Sequence, residues 1–261
     1  MQLVELYTTV LDTSGRPVQD LALGDFTVEE DGRKQDIKRF ERVEESPIQV
    51  GVMIDNSASM RGSLGAVRRA ALGFFQNAVR PGDRAAVITF NRFPNLAVEL
   101  TGNVRSLGSG LAGLVPEGET ALWDSVMYGL YYLAGERGQR ALLILSDGRD
   151  EASTFSFDDT LDYARRAGVT LYTIALGRDA ARGPLRTLAE ETGGRFFSID
   201  DADDLDEVYA TVQRELRSQY LIAYQSSNTE DLTTFRRVVL EVDRPGVTVK
   251  TLAGYYPSRR R

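Results

Sequence analysis

The feature that most constrains the fold is an alternation of short apolar segments with longer amphipathic segments through the middle of the chain. Residues 50–54 and 141–145 are uninterrupted apolar runs, which are typical of strands buried on both faces. Residues 63–78 instead place their apolar side chains at helical spacing. Because strands alternate with helices across residues 48–217, we predict a mostly parallel, doubly wound α/β sheet with helices on both faces.

The same periodicity predicts the other elements of this central region. Further strands are predicted at residues 84–90, 96–100, 169–175 and 195–199. Further helices are predicted at residues 104–114, 121–134, 157–167, 185–191 and 205–217.

The two ends of the chain have a different pattern, in which apolar and polar residues alternate as in half-buried strands. Strands are predicted at residues 3–11, 26–29 and 37–43 and again at 220–224, 237–242 and 247–251. Residues 1–48 carry a net charge of −5 and residues 218–261 a net charge of +3, which suits contact between the ends. We therefore predict that residues 1–47 and 218–261 pair into a small β-sandwich, into which an α/β domain of residues 48–217 is inserted.

Composition excludes several kinds of chemistry. The chain contains neither cysteine nor histidine, so zinc sites of the ordinary kind and Ser-His-Asp or Cys-His nucleophilic catalysis are excluded. A metal would have to be bound by oxygen, which favours a hard ion such as Mg²⁺ or Ca²⁺. The net charge of −7 argues against a nucleic-acid partner.

The sequence patterns also predict neither a transmembrane helix nor a signal peptide in these residues. No apolar run approaches the roughly 20 residues that a transmembrane helix needs. The first residues lack the basic and apolar regions of a signal peptide, as expected of a chain trimmed from a longer precursor.

Polar side chains cluster where predicted strands end. Asp55, Ser57 and Ser59 follow the first buried strand, and Asp147 follows residues 141–145. Thr120 precedes a predicted helix. Because ligands of open α/β sheets bind outside the carboxyl ends of the strands, these five oxygen donors are the candidate ligands of a metal site.

At these residues the sequence resembles the von Willebrand factor type A domain. The metal-ion-dependent adhesion site of that family consists of Asp-x-Ser-x-Ser, a distant Thr and a distant Asp. All of them have a counterpart here: Asp55, Ser57, Ser59, Thr120 and Asp147. The flanks resemble those of bacterial proteins related to this family, at residues 24–32, at residues 219–224 and at a terminal Gly-Tyr-Tyr beginning at Gly254.

The resemblance implies a non-enzymatic adhesion module. It implies that Ser57, Ser59 and Thr120 bind Mg²⁺ directly, with Mn²⁺ or Ca²⁺ as alternatives, and that Asp55 and Asp147 act mainly through water. A remaining coordination position would then accept an Asp or Glu side chain from a partner protein. Specificity would lie in surrounding loops, and ligand binding would shift the last helix. Those loops are residues 60–62, 91–95, 117–123 and 149–155.

Two other functions remain as alternatives. The chain could be a partner-binding subunit of an intracellular AAA+ or chelatase-type complex, since these also use such domains. A metal-dependent hydrolase is less favoured, because haloacid-dehalogenase-type enzymes need a second Asp where this chain has Ser57. The β-rich flanks favour a secreted, periplasmic or cell-surface protein over a cytoplasmic one.

Three further features are given structural interpretations. Residues 108–113 match Gly-x-Gly-x-x-Gly, but they lie inside a predicted helix rather than at a strand-to-helix turn, which argues against dinucleotide binding. The acidic residues 200–207 lack the glycine and terminal Glu spacing of a calcium loop and suit a solvated helix start. Trp123 is assigned to the core, with a position at the rim of the metal site as the alternative.

Overall fold

The protein is described by a computed structural model that covers residues 3–44, 46–178, 180–228 and 233–257. Its strands are β1 (Leu3–Leu11), β2 (Phe26–Glu30), β3 (Arg33–Gln35), β4 (Ile37–Arg42), β5 (Ile48–Asp55), β6 (Arg84–Phe90), β7 (Pro94–Thr101), β8 (Gln139–Ser146), β9 (Thr170–Leu176), β10 (Phe196–Ile199), β11 (Tyr220–Gln225), β12 (Arg236–Val242), β13 (Thr248–Lys250) and β14 (Gly254–Tyr255). Its α-helices are α1 (Leu64–Ala78), α2 (Val104–Ala112), α3 (Leu122–Ala134), α4 (Phe157–Ala167), α5 (Arg182–Glu191) and α6 (Leu205–Leu216).

The predicted elements are present, with differences at their ends. β1, β6 and α4 have the predicted bounds. β3 and β14 were not predicted, because strands of three and two residues are too short to show alternation. α5 begins at Arg182, before its predicted start at residue 185. Pro184 therefore lies in the first turn, where the missing N–H donor breaks no helical hydrogen bond.

The central sheet confirms the predicted α/β architecture. Its strand order is β10-β9-β8-β5-β6-β7. β5 pairs in parallel with both β6 and β8, while the edge strand β7 is antiparallel to β6. The sheet is therefore mostly parallel, and the carboxyl ends of β5, β6 and β8 lie at the same edge.

Helices cover both faces of this sheet because β5 contributes side chains alternately to two cores. Val52 and Ile54 belong to the core that includes α1, α2 and α6, whereas Met53 belongs to the core that includes α3, α4 and α5. All eight residues of β5 are buried. No helix within the described residues is long and apolar enough to cross a bilayer.

The flanks form two four-stranded antiparallel sheets, with orders β13-β1-β11-β4 and β14-β12-β2-β3. Each sheet combines strands from both ends of the chain: Leu6 pairs with Ile222 in one, and Val28 with Leu240 in the other. These four side chains share a single core. The expected association of the flanks is thus confirmed, and the division at residues 47 and 217 stays a prediction.

A buried polar network links the two sheets of the sandwich. Glu30 of β2 accepts hydrogen bonds from the hydroxyls of Tyr224 (2.8 Å) and Tyr255 (2.8 Å) through Oε2. Its Oε1 accepts from Ser226 Oγ (2.6 Å) and from Arg236 Nη1 (3.2 Å). Burial raises the pKa of both tyrosines, so their hydroxyls stay protonated and keep donating. The network provides the partners that a buried carboxylate requires.

The insertion points of the α/β domain are held together by Asp83. Its Oδ1 accepts the N–H of Ile48 (2.9 Å), the first residue of β5. Its Oδ2 pairs with Arg217, which directly follows α6. Because the Val43 N–H also donates to the Gln219 carbonyl (2.8 Å), the entering and leaving chains run side by side.

The Glu30 network predicts an asymmetry between two ion pairs that join the flanks. Arg236→Met leaves the buried Glu30 charge uncompensated and should lower the free energy of unfolding by about 3–5 kcal/mol. Arg244→Met removes the exposed pair with Asp20 (2.6 Å) and should leave the denaturation midpoint nearly unchanged. Urea unfolding followed by fluorescence measures both, and equal midpoints for the two variants would contradict the structural role of the network.

The predicted domain boundaries are testable by limited proteolysis. Because β1 pairs with β11, we expect residues 1–47 and 218–261 to stay associated after a cut at either boundary. Size-exclusion chromatography and mass spectrometry of the nicked protein would detect this. Release of the two flanks as separate unfolded pieces, with residues 48–217 surviving, would overturn the sandwich.

Candidate metal centre

Asp55 is the most buried of the predicted ligands, with 0% of its surface exposed. It is the last residue of β5, where the apolar strand emerges from the core. Its Oδ1 accepts the Ser57 N–H (2.8 Å) and its Oδ2 accepts the Ser146 hydroxyl (2.6 Å). These two bonds fix the orientation of the carboxylate at the carboxyl end of the sheet.

Ser57 and Ser59 lie in the loop that follows Asp55. Their hydroxyl oxygens are 3.0 Å apart, so the loop brings two neutral donors together as the spacing predicted. A 3₁₀ turn at Ala58–Gly62 produces this arrangement, and the buried side chain of Met60 anchors it. Ser57 is buried and Ser59 is exposed, so the pair extends from the protein interior to the surface.

Thr120 is held next to this loop by backbone hydrogen bonds. Its carbonyl accepts the N–H groups of Glu151 (2.8 Å) and Ala152 (3.1 Å). The preceding Gly118 carbonyl accepts the Ala58 N–H (3.0 Å). Thr120 as a whole is 2% exposed, and within the described part of the chain no residue hydrogen-bonds its hydroxyl. That oxygen therefore keeps its lone pairs for another ligand.

Asp147 follows β8 and is half-buried. Its Oδ1 accepts the Arg149 N–H (3.1 Å), and its carbonyl accepts the Ala181 N–H (2.8 Å) just before α5. Gly148 allows this close approach, because its φ is +76° and a Cβ there would lie 2.3 Å from the Ala181 carbonyl oxygen. The loop that carries Asp147 is therefore fixed against the start of α5.

The charges at this edge of the sheet favour a cation. Burial raises the pKa of the Asp55 carboxyl, hydrogen bonds from Ser146 and Ser57 oppose the rise, and the nearby charge of Asp147 adds to it. A cation would offset both the desolvation and the repulsion. The described residues contain no group of three or more His, Cys, Asp or Glu side chains placed to hold a metal. The candidate donors are three hydroxyls and two carboxylates, a set that fits a hard divalent ion.

Two residues that support the site were missed by sequence reasoning. Ser146 orients Asp55 and also accepts the Gly148 N–H (3.0 Å). Asp150 accepts the Leu122 N–H (2.8 Å) at the start of α3, next to Thr120. Their position beside Asp147 is the only signal in the sequence, because both act on residues remote in the chain.

The other features singled out in the sequence have structural positions. Trp123 is buried and packs edge-on against Phe157, with ring centroids 5.3 Å apart, which favours the core assignment. Residues 108–112 of the glycine-rich stretch lie in α2, as predicted. Asp206 and Glu207 occupy the first turn of α6, where acidic side chains interact favourably with the helix dipole.

Comparison with known proteins identifies the central region. The family model of the von Willebrand factor type A domain matches residues 50–211. A von Willebrand factor type A structure from Catenulispora acidiphila aligns at 13% identity with a TM-score of 0.59, over 98% of this chain and 74% of that one. That alignment includes the flanks.

Two further solved structures align with part of the chain. An aerotolerance-related membrane protein from Bacteroides fragilis aligns at 14% identity with a TM-score of 0.55, over 65% of this chain and 98% of that one. Proximal thread matrix protein 1 from the mussel byssus, described with a zinc-occupied MIDAS motif, aligns at 17% identity with a TM-score of 0.60, over 72% of this chain and 50% of that one. The search of curated proteins found no match.

The role of Ser146 predicts separable effects on stability and on metal affinity. Ser146→Ala removes a buried hydroxyl and should lower the free energy of unfolding by about 1–3 kcal/mol. It should also weaken Mg²⁺ binding, because Asp55 loses its orienting donor. Thr160→Val removes a buried hydroxyl that donates to the Ser156 carbonyl (2.9 Å) in α4, and should lower stability only. Equal Mg²⁺ affinities for Ser146→Ala and wild type in calorimetry would refute the positioning role.

Proposed function

Because the chain belongs to the von Willebrand factor type A domain family, we propose that it is a divalent-metal-dependent protein-binding module that captures an acidic side chain of a partner. Domains of this family are generally interaction modules rather than enzymes. The observation that carries the proposal is the pair of hydroxyls of Ser57 and Ser59 next to the buried carboxylate of Asp55, at the carboxyl end of the sheet, with the Thr120 loop hydrogen-bonded to theirs through its backbone.

The five candidate ligands divide into two roles in this proposal. The hydroxyls of Ser57, Ser59 and Thr120 would hold the ion directly, and Asp55 and Asp147 would act through water. A bound divalent ion would supply positive charge and a coordination position for an outside carboxylate. Neutral hydroxyl donors leave most of that charge uncompensated, which strengthens the attraction of an acidic partner.

We propose Mg²⁺ as the ion, with Mn²⁺ and Ca²⁺ as alternatives. Oxygen donors suit all three. The mussel protein's zinc-occupied MIDAS motif shows that such a motif can also hold zinc, so the lack of Cys and His does not by itself exclude zinc at this site. A competition series with these four ions would rank them.

We propose an extracytoplasmic location, with a protein ligand rather than a nucleic acid as partner. The β-rich flanks and the likeness to an aerotolerance-related membrane protein support this location. The alternative is a cytoplasmic subunit of an AAA+ or chelatase-type complex. A signal peptide or lipobox in the full-length gene favours the first, and a neighbouring AAA+ gene favours the second. A hydrolase would require turnover that disappears with Asp55, and no described feature supports it.

The metal assignment predicts the behaviour of three carboxylate variants. In calorimetry, Asp55→Ala and Asp147→Ala should weaken Mg²⁺ binding by about tenfold or more, because each removes a carboxylate that would orient the water molecules bound to the ion. Asp206→Ala, in the first turn of α6, should bind Mg²⁺ like wild type. Circular dichroism should show that all three variants are folded. Equal Mg²⁺ affinity for wild type and folded Asp55→Ala would refute the site.

A further inference from the structure

A groove of about 450 Å³ lies directly beside the candidate metal centre, within the range of about 300–1,000 Å³ found for ligand sites. Its lining includes Asn56, Asn91, Phe93, Asn95, Val115 and Glu117. Asn56 connects the two sites, because it lies between Asp55 and Ser57 in the chain. The groove therefore borders the loop that carries the candidate ligands Asp55 and Ser57.

The groove is formed between the sheet edge and the end of α2. α2 packs closely on β7, because Gly110 has no side chain: a Cβ there would lie 2.3 Å from Val98 Cγ2. The loop after α2 then crosses to the metal-binding loop, where the Glu117 N–H donates to the Asn56 carbonyl (2.9 Å). The wall of the groove and the candidate metal loop are thus one hydrogen-bonded unit.

Three asparagine amides in the groove have unused hydrogen-bonding capacity. Asn56 Nδ2 donates to the Val115 carbonyl (3.0 Å), Asn91 Oδ1 accepts the Phe93 N–H (3.3 Å), and Asn95 Nδ2 donates to Thr89 Oγ1 (3.5 Å). No residue in the described ranges bonds the other amide atom of any of the three. A primary amide offers the same donor and acceptor types as a peptide group, so the groove can pair with an extended main chain.

Two exposed apolar side chains also line the groove. Phe93, on the β6–β7 turn, is 71% exposed, and Val115, on the loop after α2, is 58% exposed. Large apolar side chains this exposed are typical of interaction sites when they occur together beside polar groups. The nearby carboxylate of Glu117 is also exposed and would repel an acidic residue.

We propose that the groove binds an extended segment of the partner polypeptide whose acidic side chain reaches the metal centre. The asparagine amides hold the main chain of that segment. Phe93 and Val115 receive one apolar side chain at a fixed distance from the acidic residue, and Glu117 selects neutral or basic neighbours. The inference rests on the proposed function, and it adds the sequence that the partner must present.

An array of capped nonapeptides tests this specificity on the full chain. Each peptide has one central Asp, and the other positions vary among Gly, Leu, Phe, Lys and Glu. In the presence of Mg²⁺, the wild-type protein should prefer peptides with Leu or Phe at one fixed offset from the central Asp. At the positions near the Asp, it should prefer Lys over Glu. EDTA should abolish this binding.

Variants of the lining residues separate the three contributions. Phe93→Ala should weaken binding of the best peptides about tenfold. It should leave unchanged the binding of peptides that have Gly at the preferred offset. Asn95→Ala should weaken all bound peptides alike, because it acts on the main chain. Glu117→Lys should reverse the preference from Lys to Glu. Tyr131→Ala, which removes an aromatic residue 75% exposed on α3 outside the groove, should change nothing.

Calorimetric Mg²⁺ titration of the same proteins distinguishes failure of the groove inference from failure of the proposed metal-dependent function. If Mg²⁺-dependent peptide binding occurs but the groove variants leave the preferences unchanged, the groove inference is wrong and the proposed function stands. If the protein binds Mg²⁺ but no peptide of the array, the groove inference is also wrong. If the groove variants alter binding that Asp55→Ala and EDTA leave intact, the groove binds peptides and the metal-dependent function is wrong.

Discussion

The burial of β5 on both faces is the constraint on which the rest of the molecule depends. Every residue of this strand is buried, so it needs a neighbouring strand on each side and a helical layer on each face. Polar groups are then accommodated most readily where the strand emerges. Asp55 lies at that point with two hydrogen-bond donors prepared for its carboxylate. The candidate site therefore lies where the buried strand β5 leaves the hydrophobic core.

The flanking sandwich is closed by pairing between the two ends of the chain. Its buried carboxylate, Glu30, takes its partners from C-terminal residues that include Tyr224 and Arg236, so neither flank satisfies its polar groups alone. α5 connects this sandwich to the loop that carries the candidate ligand Asp147. Just before α5 begins, the Ala181 N–H donates to the Asp147 carbonyl (2.8 Å). At the end of α5, the Glu191 carbonyl accepts the Ala253 N–H (3.1 Å) from the C-terminal flank.

Much of the candidate site was predictable because its residues are few, polar and placed at strand ends. Ser57 and Ser59 could be predicted as neighbouring donors from their spacing alone, since a single loop positions both. Ser146 and Asp150 were missed because a serine or aspartate in a turn has many ordinary roles, and their partners lie 91 and 28 residues away in the chain. The groove could not be predicted from the sequence either. The loop at residues 91–95 is predicted from the sequence to lie near the candidate metal centre, but Val115 is not.

The sequence by itself determined the order of strands and helices, the apolar faces that bury them and the five candidate ligands, because these depend on local periodicity and spacing. Only the tertiary structure decided that β7 runs antiparallel at the sheet edge, that the two flanks share both sheets of the sandwich, and that Asn56 joins the candidate metal-binding loop to a groove. These features depend on which segments meet across long separations. Pairing of that kind is decided by the packing of whole surfaces, and no single stretch of sequence records it.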